Sequence, residues 1–249
     1  MDDYIVTIQS KGRAELLSTH TMPLFPDATV VCPEDECAAY EKVAKHVIGH
    51  DVQGLTATRQ WTLDHFKEQT VFMLDDDVSK VLAIVGTKSR TYKEPEDVIR
   101  IVENGIYCLQ DLELSLLYFQ INPSPLFFQA TEPIKFTGAF ASHAYAVNGR
   151  ELVYDEKMIL HEDVDLTLLS LLKSRAVLFD ARFCFVHGLL GSGKGGIQSQ
   201  RTECLLDEAD RRLTNKWGIY VGTGKSRNAS VRNTHTYVRR KNSLAVFKE

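Results

Sequence analysis

The sequence predicts an α/β protein, with one mainly parallel sheet carrying helices on both faces. Three observations predict it. Short, wholly apolar runs alternate with helical patterns through the first 80 residues. Those runs do not alternate apolar with polar, which marks strands covered on both sides. The composition is 44% apolar and 25% charged over 249 residues, enough chain to enclose a sizeable core.

Residues 4–8 are the first strand, followed by polar Gln9-Ser10-Lys11-Gly12-Arg13 and a short helix from about Ala14. Residues 28–32 are the second strand. The helix after it begins with Glu34, Asp35 and Glu36, acids where the helix macrodipole favours them. Residues 56–66 read as a helix and 71–74 as a short buried strand, and this β-α-β-α-β order implies parallel pairing. After residue 80 the pattern loosens. Residues 96–103 and 106–119 read as helices interrupted by Asn104-Gly105, and strand-like pieces follow at 126–129, 134–136 and 143–147. Residues 163–173 form a strongly apolar helix, 176–186 one strand or two around Asp180, and 197–213 a last helix. One domain over residues 1–249 is the simplest architecture.

Several classes are excluded. No stretch approaches the roughly 18 uninterrupted apolar residues of a membrane span. Five cysteines, Cys32, Cys37, Cys108, Cys184 and Cys204, contain no C-x-x-C pair, so neither a zinc site nor a disulfide framework is indicated. Met1-Asp2-Asp3-Tyr4 places acids where a signal peptide has basic residues, and a cytoplasmic chain is expected.

The net charge of −4 hides an asymmetry. Residues 211–249 hold ten Lys/Arg and one acid, a charge of +9, which leaves −13 on residues 1–210. A basic end on an acidic body suggests an anionic partner, although a solvated tail has the same composition.

Three motifs carry chemistry. The strand at 71–74 runs directly into Asp75-Asp76-Asp77, at the sheet edge where open α/β folds bind ligands. Adjacent carboxylates repel one another unless a cation sits among them, and Mg2+ or Mn2+ favours one or two carboxylates plus substrate phosphates. An acidic turn is the plainer explanation. Next, Glu162-Asp163-Val164-Asp165 precedes an apolar helix. One acid would serve as a cap; three in four residues admit a general base. Finally, residues 188–196 match both G-x-x-x-x-G-K and G-x-G-x-x-G. Gly195 stands where a P-loop needs Ser or Thr, and only 53 residues follow Gly196, so neither nucleotide-binding fold is supported. A glycine-rich loop with Lys194 suited to a diphosphate remains.

Taken in order, these segments resemble glycosyltransferases of the GT-A fold. Ser10-Lys11-Gly12-Arg13 is similar to the donor loop, and Gly54-Leu55-Thr56-Ala57-Thr58-Arg59 to the segment whose arginine faces the nucleotide sugar. Asp75-Asp76-Asp77 matches the D-x-D motif, Glu162-Asp163 the acidic pair of inverting members, and His187 a late metal-binding histidine. Within that fold the chain looks most like the TET-associated glycosyltransferases of bacteriophages. The S-x-G-R start, the triple Asp, the E-D pair and Lys216-Trp217-Gly218 near a basic end carry the likeness.

The resemblance implies transfer of a sugar from a nucleoside-diphosphate donor, UDP-Glc or UDP-GlcNAc, to 5-hydroxymethylcytosine in phage DNA, within the host cytoplasm. It implies Mn2+ or Mg2+ on Asp77, with Asp75 and His187 as further candidate ligands. Ser10, Gly12, Arg13, Arg59, Asp75, Asp76 and Lys194 would bind the donor, and Asp163, with Glu162, would supply the base. It divides the chain into a donor-binding half (1–80), an acceptor and catalytic half (81–210) and a basic segment (211–249). In that segment Lys225, Arg227, Arg232, Arg239, Arg240 and Lys241 would follow DNA phosphates, and Trp217, Tyr220 or Tyr237 would stack on a base. Rival readings are a transferase acting on a glycan, lipid-linked sugar or protein hydroxyl, a P-loop-like NTPase using Gly188–Lys194, and a non-catalytic DNA-binding module.

Overall fold

The structure is a computed structural model and describes residues 4–137, 143–149, 151–187, 202–225 and 232–236. The first part contains β1 (Tyr4–Gln9), α1 (Ala14–Thr19), β2 (Thr29–Pro33), α2 (Cys37–Tyr40), β3 (His46–His50), α3 (Leu55–His65) and β4 (Thr70–Asp75). Then follow β5 (Lys80–Ala83), β6 (Arg90–Tyr92), α4 (Pro95–Asp111), β7 (Leu116–Gln120), β8 (Ile134–Lys135), β9 (Ala144–Val147), α5 (Glu162–Ser174) and β10 (Leu178–Val186). After these come α6 (Glu203–Trp217) and a hairpin of β11 (Val221–Lys225) and β12 (Arg232–Thr236).

One ten-stranded sheet runs β3-β2-β1-β4-β9-β7-β10-β5-β6, with β8 beside β10. Strands β1 to β4, β7 and β10 point the same way; β9, inserted between β4 and β7, and β5 and β8 run against them. The central strands are buried on both faces, and the strand period of two sorts their side chains. Phe72, Leu74, Leu117 and Phe119 pack with Val98, Val102 and Ile106 of α4. Val71, Met73, Leu116 and Tyr118 pack with Leu63 of α3 and Leu166 and Leu171 of α5. Helices therefore cover both faces, as the apolar runs require.

Several elements differ from their sequence reading. The two helices expected at 96–103 and 106–119 are one helix, α4, followed by a strand, β7. Gly105 is no interruption: a Cβ there would lie 2.8 Å from Leu117 Cδ2, so the glycine is where the helix lies closest to the sheet. Leu116-Leu117-Tyr118-Phe119 is too short a run for apolar periodicity to tell strand from helix. The strand expected at 126–129 is a 3-10 turn, Pro125–Phe127, since Pro123 and Pro125 lack the N–H a ladder needs. The helix after β2 is reduced to a 3-10 turn (Glu34–Glu36) and the single turn of α2. Strands β3 and β6 carry too few apolar residues to stand out in the sequence, and β5 opens the apolar run 81–85, which the sequence reading leaves without an element. Residues 176–186 form one strand, with its register shifting between Asp180 and Cys184.

Helix α6 is anchored to α5 by polar contacts. Trp217 Nε1 donates to buried Asp165 at 2.7 Å, and Lys216 Nζ reaches Asp165 at 2.9 Å and Asp155 at 3.0 Å. Lys216 is thus paired with acids of the body, and Trp217, partly buried, packs against the cluster of Met158, Leu168 and Leu213. No described helix is long and apolar enough to cross a membrane.

Candidate active site

The C-terminal ends of β1, β4, β7 and β10 lie along one edge of the sheet, and the acids expected to be functional gather there. Ser10 follows β1. Its hydroxyl donates to Asp76 Oδ2 at 2.6 Å, and its oxygen lies 2.8 Å from the Tyr40 hydroxyl. A hydroxyl has one proton. Tyr40 therefore donates to Ser10 and accepts the Arg13 backbone N–H at 3.1 Å. The Arg13 guanidinium closes the ring on Asp76 Oδ1 at 3.1 Å. Gly12 adopts φ +67°, a left-handed conformation glycine tolerates, and its N–H donates to Glu36 at 2.6 Å. Asp76 is buried, which pushes its carboxyl up, while the Ser10 hydroxyl and Arg13 act against the shift. The donor loop is therefore held in place by the middle aspartate before any ligand arrives.

Arg59, on α3, is 3% exposed and lies between the two acidic clusters. One nitrogen meets Glu162 at 2.6 Å and another meets Asp75 at 3.4 Å. Its guanidinium also stands 5.4 Å from the centre of the Tyr145 ring. The Tyr145 hydroxyl donates to Met73 Sδ and lies 2.5 Å from the hydroxyl of Tyr154, so the ring under Arg59 is itself fixed. Burial pushes the Tyr145 phenol up to about 12, keeping it neutral at physiological pH. Arg59 thus joins residues 75 and 162, which are far apart in the chain.

Asp77 is different. Its Oδ1 is buried and has no hydrogen-bond partner among the described residues. Burial pushes the carboxyl up and Asp75 adds to this, while His187 pulls it down. The rings of His187 and His143 lie 4.1 Å apart. His143 Nε2 sits 2.7 Å from the Phe185 carbonyl, and burial drives its pKa down to about 3; the neutral ring donates its proton there. An unpartnered buried carboxylate oxygen beside another carboxylate and an imidazole is a donor set a hard divalent cation fits. Among the described residues no group of three His, Cys, Asp or Glu side chains is gathered to hold an ion alone. A cation shared between one or two carboxylates and substrate phosphates needs no such group.

Glu162 and Asp163 open α5, where the helix macrodipole favours negative charge. The preceding residue, His161, is left-handed at φ +64°, a conformation costing roughly 1–2 kcal/mol outside glycine. Its ring is held by Asp210 of α6 at 3.0 Å, so the third helical layer fixes the turn that presents both acids. Glu162 is committed to Arg59. Asp163 accepts the N–H of Val164 at 2.8 Å, and burial, then the Glu162 carboxylate, push its carboxyl up. A carboxylate raised in this way is suited to accept a proton near neutral pH.

The structure therefore brings together Ser10, Gly12, Arg13, Arg59, Asp75, Asp76, Asp77, Glu162, Asp163 and His187 at one edge. Lys194, Arg227, Arg239, Arg240 and Lys241 lie outside the described residues, and Lys225 and Arg232 are described only as backbone in β11 and β12. Tyr40, Tyr145, Tyr154 and His143 pack around these residues and were not singled out in the sequence, and Glu36 reads there only as a helix-start acid. The signal of the buried four is a polar atom on a residue otherwise placed to fill the core.

A model of the TET-associated glycosyltransferase family matches residues 4–183. No curated protein sequence matches the chain. Among solved structures, a cytidylyltransferase from Leptospira borgpetersenii serovar Hardjo-bovis is 14% identical with a TM-score of 0.37. That match covers 70% of this chain and 65% of the cytidylyltransferase. A CMP:2-keto-3-deoxy-manno-octonic acid synthetase complexed with CTP is 11% identical with a TM-score of 0.40, over 86% of this chain and 100% of the other. Likeness at that level says nothing of what this chain binds.

Proposed function

The chain belongs to the TET-associated glycosyltransferase family and is a glycosyltransferase; from that premise we propose that it moves a sugar from a nucleoside-diphosphate donor, UDP-Glc or UDP-GlcNAc, to the hydroxyl of 5-hydroxymethylcytosine in DNA. The observation that carries the proposal is the Arg59 bridge. It joins the strand-end acids, on the side of the donor loop, to the helix-start acids, on the side where a base is needed.

Ser10, Gly12 and Arg13 form a loop already ordered by Asp76 and Tyr40, so little further ordering is required when a diphosphate binds. Asp77, with Asp75 and His187 beside it, would hold Mn2+ or Mg2+. The bound cation supplies charge stabilisation for the leaving diphosphate. Arg13 adds a fixed positive charge on the same side, and Lys194 would add another. The acceptor oxygen attacks the anomeric carbon as the carbon–oxygen bond to phosphate breaks, and its electron pair leaves with the nucleoside diphosphate. The hydroxyl proton passes to Asp163, and the configuration inverts. Glu162, held in place by Arg59, adds its charge to the burial that keeps Asp163 raised.

The test is donor hydrolysis with Mn2+ present. It is expected in the native chain and lost in Asp77→Ala. ATP hydrolysis that disappears in Lys194→Ala and ignores Asp77→Ala would instead support a nucleotide hydrolase.

A further inference from the structure

The sequence places the basic charge at the C-terminal end, yet a second basic segment lies within the acidic body. From Val78 to Lys93 there are four cations, Lys80, Lys88, Arg90 and Lys93, and no acid until Glu94. This segment is the β5–β6 hairpin, on the far side of β10 from the donor loop. Lys88, Arg90 and Lys93 are exposed.

Beside it is the connection from β7 to β8. It leaves the sheet at Gln120, level with Asp75, because both positions align with the start of β9. The connection is stiff. The Gln120 side chain accepts the N–H groups of Ile121 and Asn122, Asn122 Oδ1 accepts that of Ser124, and Pro123 and Pro125 fix φ. Phe128 packs on Leu82, Ile84, Cys184 and Val186, one residue before His187, and so ties the connection to the hairpin. The tip it holds up is apolar: Leu126 is 93% exposed and Phe127 is 59% exposed. The connection starts at the edge carrying the acids, and Lys93 lies at that end of the hairpin, whereas Arg90, across from Ala83 and Phe183, and Lys88 lie toward its other end. A braced, proline-bounded turn that presents two large apolar side chains to water beside a basic hairpin is suited to a base stack bordered by phosphates.

We propose that the β5–β6 hairpin and the β7–β8 connection form the docking surface for duplex DNA, with Leu126 and Phe127 as a wedge that enters the stack where the target nucleotide leaves it. The inference rests on DNA being the acceptor. A hydroxymethyl group on a paired base reaches Asp163, half-buried at the start of α5, only if the base leaves the helix, and the vacated stack needs an apolar filler. Lys93, Arg90 and Lys88, in that order from the acid edge, then follow the backbone along the hairpin.

The test compares the native chain with the double variant L126S/F127S on hydroxymethylcytosine in two oligonucleotides, one fully paired and one with the target base mismatched. Unpairing is easier at a mismatch, so the wedge matters less there. The expected result is a loss of about tenfold or more on paired DNA that shrinks to about threefold or less on mismatched DNA. Equal losses on both, or none on either, overturn the wedge. A second variant, K88E/R90E, should reduce the slope of log affinity for duplex against log salt by roughly two, and an unchanged slope overturns the hairpin's part. A native chain that dimerises through Leu126 and Phe127, with the double variant monomeric and fully active on duplex, assigns the patch to self-association and overturns the proposal. If the native chain modifies no hydroxymethylated DNA, the acceptor assignment falls and the wedge with it. If it does and the variants match it, only the wedge falls.

Discussion

The two halves of the sheet are made of opposite materials. On one side, β1, β2 and β4 run parallel, and their loops are closed by short hydrogen bonds: Asp76 to Ser10 and Arg13, Tyr40 to Ser10, Glu36 to Gly12. On the other side, β5, β6 and β8 pair antiparallel, and the surface offers Lys88, Arg90, Leu126 and Phe127 to water. A small polyanion is best held by a few groups fixed in advance, because each immobilised side chain would otherwise lose freedom on binding. A polymer is better held by breadth, charge and an apolar point of entry. Arg59 ties the first side to the start of α5, through Asp75 and Glu162.

The comparison can be broken in order of expected effect. Asp77→Ala should remove the charge stabilisation of the leaving group, lowering transfer by about a thousandfold while melting temperature holds, because its buried oxygen makes no hydrogen bond that would be lost. Asp163→Asn comes next, with a loss of about a hundredfold or more in turnover, as for a general base. The native enzyme should also show a distinctive pH profile. The Asp163 carboxyl is held above the ordinary aspartate range by burial and by Glu162, and only the deprotonated form accepts a proton. The rate should rise with pH through that raised value. The folded state holds this proton more tightly than the unfolded chain does, so the stability Asp163 contributes at low pH is lost as pH rises through it. An acid limb at the usual carboxylate position would contradict the assignment.

Arg59→Ala should act on both acidic clusters at once. Breaking the bridge leaves Glu162 unpaired and should lower unfolding stability by about 3 kcal/mol, the low end for a buried pair, since Asp75 is 40% exposed. Arg59→Lys restores charge but cannot reach two carboxylates in a fixed fork. It should recover stability in denaturant titration more than it recovers activity. The smallest effect should be Tyr40→Phe. It removes one hydroxyl shared by Ser10 and the Arg13 N–H, worth about 1 kcal/mol, and should raise the KM for donor several-fold with turnover and KM for DNA unchanged.

What could be read in the sequence follows from how far each signal reaches. The strand 71–74 and its acids are adjacent, so a buried run meeting three carboxylates is visible without a structure. The donor loop is visible for the same reason. The pairing of Arg59 with Glu162 is not, because it depends on α3 and α5 covering the same face of the sheet. Leu126-Phe127-Phe128 reads as a strand because apolar runs look alike whether they are buried or displayed. Only Phe128 is packed inward. The basic hairpin disappears into the body's −13, as local charge does whenever it is summed over a longer stretch. Asp165 is the converse case: in the sequence it is one more member of an acidic cluster, and in the fold it accepts the Trp217 indole N–H.

The most direct test is transfer itself. The native chain, Mn2+ and a panel of nucleotide sugars are incubated with hydroxymethylcytosine DNA, with unmodified cytosine DNA as control, and the digested nucleosides are read by mass spectrometry. The account predicts a mass gain of one hexose or N-acetylhexosamine on the hydroxymethylated base alone, absent in Asp77→Ala. No gain with any donor, or the same gain on unmodified cytosine, would contradict it.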